Sequence, residues 1–252
     1  MATLKNSAMS PSLESFDAER ADFELVLSAI GKAEAASVDA LRDFDWVHEW
    51  VCSVGLAPLF PAEEIYADKA GLMNASHQGI TQYPIEFARW LRLLADHAPA
   101  TYLEIGCHNG ATACLATAYL RRFNPDLRAT TIDLSSWFLF YGLVRDRIPL
   151  DYRVGVNSHA FRGQRFDAVF IDGDHSFQWA WADYENVGRA ARVCGIHDVR
   201  SDYFYTHEEL GGVTAAWQLI KRDEGGPHIR FEEIMDHPID YFGIGVRLDT
   251  AR

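Results

Sequence analysis

TYLEIGCHNGATA, residues 101–113, decides the fold. An apolar run through Tyr102, Leu103 and Ile105 enters a turn with glycines at Gly106 and Gly110. An apolar, alanine-rich helical pattern follows. Strand, glycine turn and helix in that order open a doubly wound α/β domain, whose ligands sit at the carboxyl ends of the strands. Glycine serves such a turn because the backbone must approach the ligand and can need positive φ. The spacing here is Gly-x-x-x-Gly. That differs from the G-x-G-x-x-G of dinucleotide binders and from the G-x-x-x-x-G-K-[ST] of phosphate-gripping loops.

Working outward, the chain alternates strand and helix. Strands are expected at 102–105, 129–132, 152–156, 168–171 and 193–196, and helices at 111–123, 136–147 and 176–191. The segment between 156 and 166 holds little more than one turn. A helix at 213–222 and strands at 229–235 and 241–248 complete the pattern. Alternation of this kind builds a parallel sheet with helices on both faces. The expected class is α/β: a Rossmann-like, doubly wound, seven-stranded and mostly parallel sheet, with an antiparallel C-terminal strand.

Before residue 85 the sequence shows no strand alternation. Residues 1–12 read as a disordered tail. Residues 13–84 read as a helical N-terminal extension, with helices at 13–36, 37–54 and 61–70. Packing on the core is the expected role, with a lid or an oligomer interface as alternatives. A polar loop at 71–84 precedes the helix 85–97 and carries His77, Gln78, Gln82 and Tyr83. Loops held by a rigid scaffold often present binding groups.

Composition narrows the function. The 252 residues are 48% hydrophobic and 23% charged, values of a globular soluble chain. A net charge of −13 argues against a general nucleic-acid binder, which needs a basic surface. The four cysteines, Cys52, Cys107, Cys114 and Cys194, have no C-x-x-C spacing. They read as reduced thiols of a cytoplasmic protein. No run reaches the roughly 20 apolar residues that span a bilayer.

Three strand ends carry the chemistry. Asp133 ends the second strand, where an acid accepts hydrogen bonds from ribose hydroxyls. Its alternative role is to cap the next helix. FDAVFIDGDHS, residues 166–176, ends a strand with Asp172, Asp174 and His175. GIHDV, residues 195–199, ends the next with His197 and Asp198. Neighbouring strands would bring Asp172, His197 and Asp198 together as oxygen and nitrogen ligands for a divalent cation. Turn and cap hydrogen bonding is the plainer role for any one of them.

LEIGCHNGATA, TIDLS, FDAVFIDGDHSF and GIHDV resemble the successive motifs of class I S-adenosylmethionine-dependent methyltransferases. More narrowly they are similar to the small-molecule O-methyltransferases of the methyltransferase 24 type, which include metal-dependent enzymes acting on sugars, macrolides and catechol-like natural products. The resemblance spans roughly residues 82–248 and implies a methyltransferase domain at 85–252. It implies that Glu104, Gly106, His108, Asn109 and Gly110 shape the methionine end of the cofactor site, that Asp133 holds the ribose, and that Ser158 and His159 lie near the adenine. It also places Asp172 at cofactor and metal, makes His175 the general base, and sets His197 and Asp198 toward Mg2+ or another divalent cation. His197 stands where the pattern has a carboxylate. Ala190-Ala191-Arg192 replaces the usual Pro-Gly-Gly, which leads us to expect an irregular entry to the fifth strand.

Tyr203 and Tyr205, with Gln82, are the expected contacts to the acceptor. A neutral histidine suits a base near neutral pH, and a cation on the same hydroxyl would lower its pKa. The expected protein is a homodimeric, S-adenosylmethionine-dependent O-methyltransferase for a small-molecule acceptor, without nucleic-acid or membrane partners. An N-methyltransferase of the same fold and a non-catalytic S-adenosylmethionine-binding scaffold are the alternatives. The glycine spacing disfavours a NAD-dependent oxidoreductase.

Overall fold

The computed structural model describes residues 13–55, 79–135, 137–201, 211–236 and 242–251. Its centre is a seven-stranded sheet in the order β3-β2-β1-β4-β5-β7-β6. The strands are β1 (Thr101–Ile105), β2 (Arg128–Asp133), β3 (Leu150–Val154), β4 (Ala168–Ile171), β5 (Val193–Ser201), β6 (Ile229–Ile234) and β7 (Phe242–Asp249). Strands β1 to β5 pair in parallel, while β7 runs antiparallel between β5 and β6. The chain order reverses between β1 and β4, so a crevice opens at their carboxyl ends.

Each face of the sheet is covered by helices. On one face Tyr102, Ala129 and Phe170 join a core with residues of α1 (Leu13–Ala35), α2 (Val38–Arg42), α3 (Phe44–Cys52), α4 (Pro84–His97) and α5 (Ala111–Leu120). On the other, Leu103, Val169 and Ile196 pack with α7 (Phe177–Asp183), the π-turn Tyr184–Gly188 and α8 (Gly212–Asp223). Strand alternation explains the split, because neighbouring residues point to opposite faces.

The N-terminal helices are part of this core. Val26, Ile30, Leu41, Val47 and Val51 are buried in it. The Tyr119 hydroxyl donates to the Leu41 carbonyl at 2.7 Å, and the Trp50 indole to the Ala29 carbonyl at 2.9 Å. Packing is therefore what the described part of the extension does. The helix expected at 61–70 and residues 1–12 lie outside the described residues. No helix among the described residues is long and apolar enough to cross a membrane.

Four expectations about elements change. The helix expected at 37–54 is divided at Asp43, whose carboxylate accepts from the Trp46 amide at 2.9 Å and starts α3 afresh. The helix expected at 136–147 shrinks to α6 (Tyr141–Val144). Phe138, Phe140, Tyr141 and Tyr152 form an aromatic cluster there, with Phe140 against Phe23 of α1, and this packing outweighs helical periodicity. The helix expected at 176–191 becomes α7 plus the π-turn. The entry to β5 is regular, with Val193 paired to Ala168 and Leu248. Its irregularity lies at the exit, between His197 and Ser201.

One buried carboxylate ties the two ends of the sheet's antiparallel hairpin to α4. Glu86, 1% exposed, accepts from the amides of Asp236 at 3.0 Å and Gly243 at 3.1 Å. Glu86→Ala strands two backbone donors, which should cost about 3 kcal/mol. Denaturant unfolding of the variant checks this, and a loss below about 1 kcal/mol would contradict the role.

Candidate active site

The first turn after β1 is set by contact with β4. Gly106 has φ +82°, and a Cβ there would overlap the Asp172 carbonyl oxygen and the Gly173 Cα. At Gly110, φ +84°, a Cβ would enter the Phe138 ring. Both glycines are thus required by a positive φ and a close approach together.

Beside this turn lies a cavity of about 260 Å3 between the carboxyl ends of β1, β2 and β4. Gly106, His108 and Asp133 form one side, and Asp172, Gly173 and Asp174 another. Trp137, Asn157, Trp179 and Asp183 complete its rim. Its charged lining is acidic: Asp133, Asp172, Asp174 and Asp183, without lysine or arginine among the described residues.

Next to the cavity, β4 and β5 bring four ionisable side chains together. His197 Nδ1 is 3.0 Å from Asp172 Oδ1 and 3.4 Å from Asp198 Oδ1. His175 Nδ1 is 3.0 Å from Asp198 Oδ2, and its Nε2 is 3.5 Å from Asp172 Oδ1. The Gln82 amide donates to the other oxygen of Asp172. In a regular strand His197 and Asp198 would point to opposite faces. Asp198 instead has φ +59°, in the left-handed region, and a bulge follows it before Ser201. This backbone turn lets both side chains reach the end of β4.

No protein-family model matches the chain, and no curated protein matches it in sequence. Solved structures are similar to it in fold. An O-methyltransferase from Bacillus cereus in complex with SAH has a TM-score of 0.51 at 16% identity, over 90% of this chain and 99% of that one. The O-methyltransferase TomG from Streptomyces achromogenes, in complex with SAM, has 0.48 at 21%, over 64% and 78%. The N-methyltransferase NodS from Bradyrhizobium japonicum WM9, in complex with SAH, has 0.43 at 11%, over 65% and 87%. The fold is the Rossmann-like methyltransferase fold.

Apart from the β4–β5 cluster, the sequence-predicted residues occupy different places in that fold. Gly106, His108, Asp133 and Asp172 line the cavity. Asp133 also accepts from the amides of His108 at 2.9 Å and Ser135 at 2.8 Å, so it holds the turn and caps the following segment. Glu104 and Asn109 stand behind the turn. Glu104 is buried and accepts from Tyr102 Oη at 2.8 Å and Thr112 Oγ1 at 2.7 Å. Asn109 donates to the Gly79 carbonyl at 2.8 Å and accepts from the Ala111 amide at 3.0 Å. Ser158 and His159 do not line the cavity. Ser158 is buried and donates to Asp183 at 2.5 Å, while His159 is exposed beside Trp179. Tyr203 and Tyr205 lie outside the described residues, as do His77 and Gln78.

Trp137, Asn157, Trp179 and Asp183 were missed. Asn157 is one residue before the predicted Ser158, a simple offset. Asp183 sits at the end of FQWAWAD, an apolar helix whose sequence carries no ligand-binding signal. Burial, opposed by the Ser158 hydrogen bond, pushes its carboxyl up to about 6.

The electrostatics of the cluster are those of a buried ionic lattice. Burial favours neutral His197, but Asp198 and Asp172 outweigh it and hold the imidazole protonated, well above its usual range. Burial likewise opposes charge on Asp172 and Asp198, yet the facing imidazoles keep both carboxyls below their usual range. Among the described residues no group of three or more His, Cys, Asp or Glu side chains is arranged to hold a metal ion. The donors face one another, and the charge on His197 partly offsets that of the two carboxylates.

Glu104 gives a pH signature. Burial raises its carboxyl to about 7, against the pull of Thr112 and Tyr102. The folded chain therefore binds more protons than the unfolded one between about pH 4.5 and 7, and its stability falls as pH rises through that window. Glu104→Gln removes this dependence. The stability difference between variant and wild type should move by about 3 kcal/mol in favour of Gln from pH 4.5 to 8. Denaturant melts across that range check it, and a pH-independent difference would contradict the assignment.

Proposed function

We propose that the chain is an S-adenosylmethionine-dependent methyltransferase acting on a hydroxyl of a small-molecule acceptor, with His175 as general base. The observation that carries this reading is the pairing of two sites at one crevice. An acidic cavity at the glycine turn lies against a carboxylate-oriented histidine at the ends of β4 and β5.

The cavity suits the cofactor. Gly106 lets the turn close against β4 beside the cavity, and the His108 Nδ1 atom is buried without a hydrogen-bond partner among the described residues. Four aspartates favour a cationic ligand, as a sulfonium is. Asp133, His108 and the Gly106 backbone would hold the cofactor, and Trp137 and Trp179 would flank it. The bound cofactor supplies an electrophilic methyl group to the attacking oxygen.

The chain's own work is positioning and proton removal. Asp198 accepts from Nδ1 of His175 and fixes that proton there, leaving Nε2 as the basic atom. Nε2 lies 3.5 Å from Asp172 Oδ1, at the edge of the crevice where the hydroxyl proton would be taken up. Asp172 and its partner Gln82 set the position of that edge of the crevice. The expected Mg2+ does not fit the donors as arranged, and activation of the hydroxyl rests on His175. The domain boundary at 85, cytoplasmic location and dimerisation belong to the same proposal.

His175→Gln should lower turnover by about 100-fold or more while SAH binding stays within about twofold of wild type. Dialysis against EDTA should leave wild-type turnover unchanged. Full activity in the variant would remove the base, and EDTA inactivation reversed by Mg2+ would restore the cation.

A further inference from the structure

A second cavity, of about 600 Å3, lies at the other end of the strands. It runs around the amino-terminal ends of β1 and β2 and along the edge strand β3. It exists because the β3–β4 connection is short. The only helix there is the single 3₁₀ turn Ser158–Phe161, too small to cover β2 and β3 as α7 and α8 cover β4 and β5.

The lining of this groove runs against the charge of the protein. Four arginines, Arg128, Arg145, Arg153 and Arg165, face it with one acid, Asp151. The chain as a whole carries −13. Asp151 is occupied by Arg153 at 2.7 Å, and Arg153 also lies 5.2 Å over the Phe161 ring. That guanidinium is held in place from two sides. The nearby Asp167 accepts from the amides of Ala100 at 2.8 Å and Thr101 at 2.9 Å through one of its oxygens, and no ion pair joins it to these arginines among the described residues. Arg128 and Arg165 are exposed and make no ion pair among the described residues. Register explains the convergence. Arg128, Thr130, Asp151 and Arg153 point to the same face, since Thr130 is paired with Asp151 and Ile132 with Arg153.

We propose that this groove binds a small molecule bearing two or more phosphate groups. Guanidinium forks match phosphate oxygens two at a time, and several of them around one concave surface fit a multiply charged anion. The volume is within the roughly 300–1,000 Å3 of small-molecule sites. The groove opens at the opposite strand ends from the crevice of β1 and β4, so its ligand is distinct from the cofactor and acceptor. The inference stands apart from the methyl-transfer reading.

Isothermal titration with pyrophosphate at low ionic strength tests it. Wild type should bind in the micromolar to submillimolar range, with the affinity falling as salt rises. Arg128→Ala/Arg165→Ala should weaken binding by about tenfold or more, while SAH binding and the thermal midpoint stay unchanged. Arg222→Ala/Arg230→Ala, which removes the same charge from α8 and β6, should bind as wild type does. Absence of pyrophosphate binding to wild type would overturn the proposal, as would equal weakening in both double variants. Displacement of pyrophosphate by SAH would place it in the cofactor cavity instead. Citrate binding as tightly as pyrophosphate would overturn the choice of phosphate.

Discussion

The contact between Gly106 and Asp172 is the constraint on which the site depends. The ends of β1 and β4 come so close that only a hydrogen fits at Cα of residue 106. The Asp172 amide donates to the Ile105 carbonyl at 2.9 Å, and the Gly106 amide to Ile132 at 2.9 Å, so three strand ends are locked at one point. The cavity opens beside that point. Asp172 shares its two roles between backbone and side chain. Its carbonyl abuts the glycine turn, and its carboxylate anchors the His–Asp lattice. A shift of either strand would move the cavity and the His–Asp lattice together.

The lattice itself is costly in isolation. Two carboxylates and a fully buried imidazolium lose hydration that only their mutual attraction offsets. Such an arrangement persists where geometry is held from outside. Here β7 holds it, by forcing the bulge after His197, and Gln82 holds it from the N-terminal side. The positive φ of Asp198 is a local strain of the kind found at functional sites. Removing one partner of this set would leave a buried charge uncompensated, so its members act as a unit.

Much of this was legible in the sequence because its signals are local. The strand-turn-helix at 101–113 needs only its own glycines and apolar pattern. Asp172, His175, His197 and Asp198 could be placed together once β4 and β5 were recognised as neighbours. What was not legible depends on contacts between distant segments. The shortening of the 136–147 helix follows from Phe138 filling the space over Gly110 and Phe140 packing on Phe23. The π-turn after α7 packs Gly188 against Cys194 and Ile171, residues of two strands. Asp183 lines the cavity through the way α7 folds back over β4, and no motif announces it. Metal ligation was inferred from residue types, whereas the side chains as packed face one another as ion pairs. That distinction lies in angles and distances, which composition does not carry.

A methyl-donor cofactor should occupy the acidic cavity beside Gly106. Isothermal titration of the wild-type chain with S-adenosylhomocysteine tests it most directly, because binding needs neither acceptor nor turnover. One site per chain is expected, with a Kd of about 1–100 µM, the range common to enzyme ligands. No heat up to about 1 mM, from a chain shown to be folded by its melting transition, would contradict it.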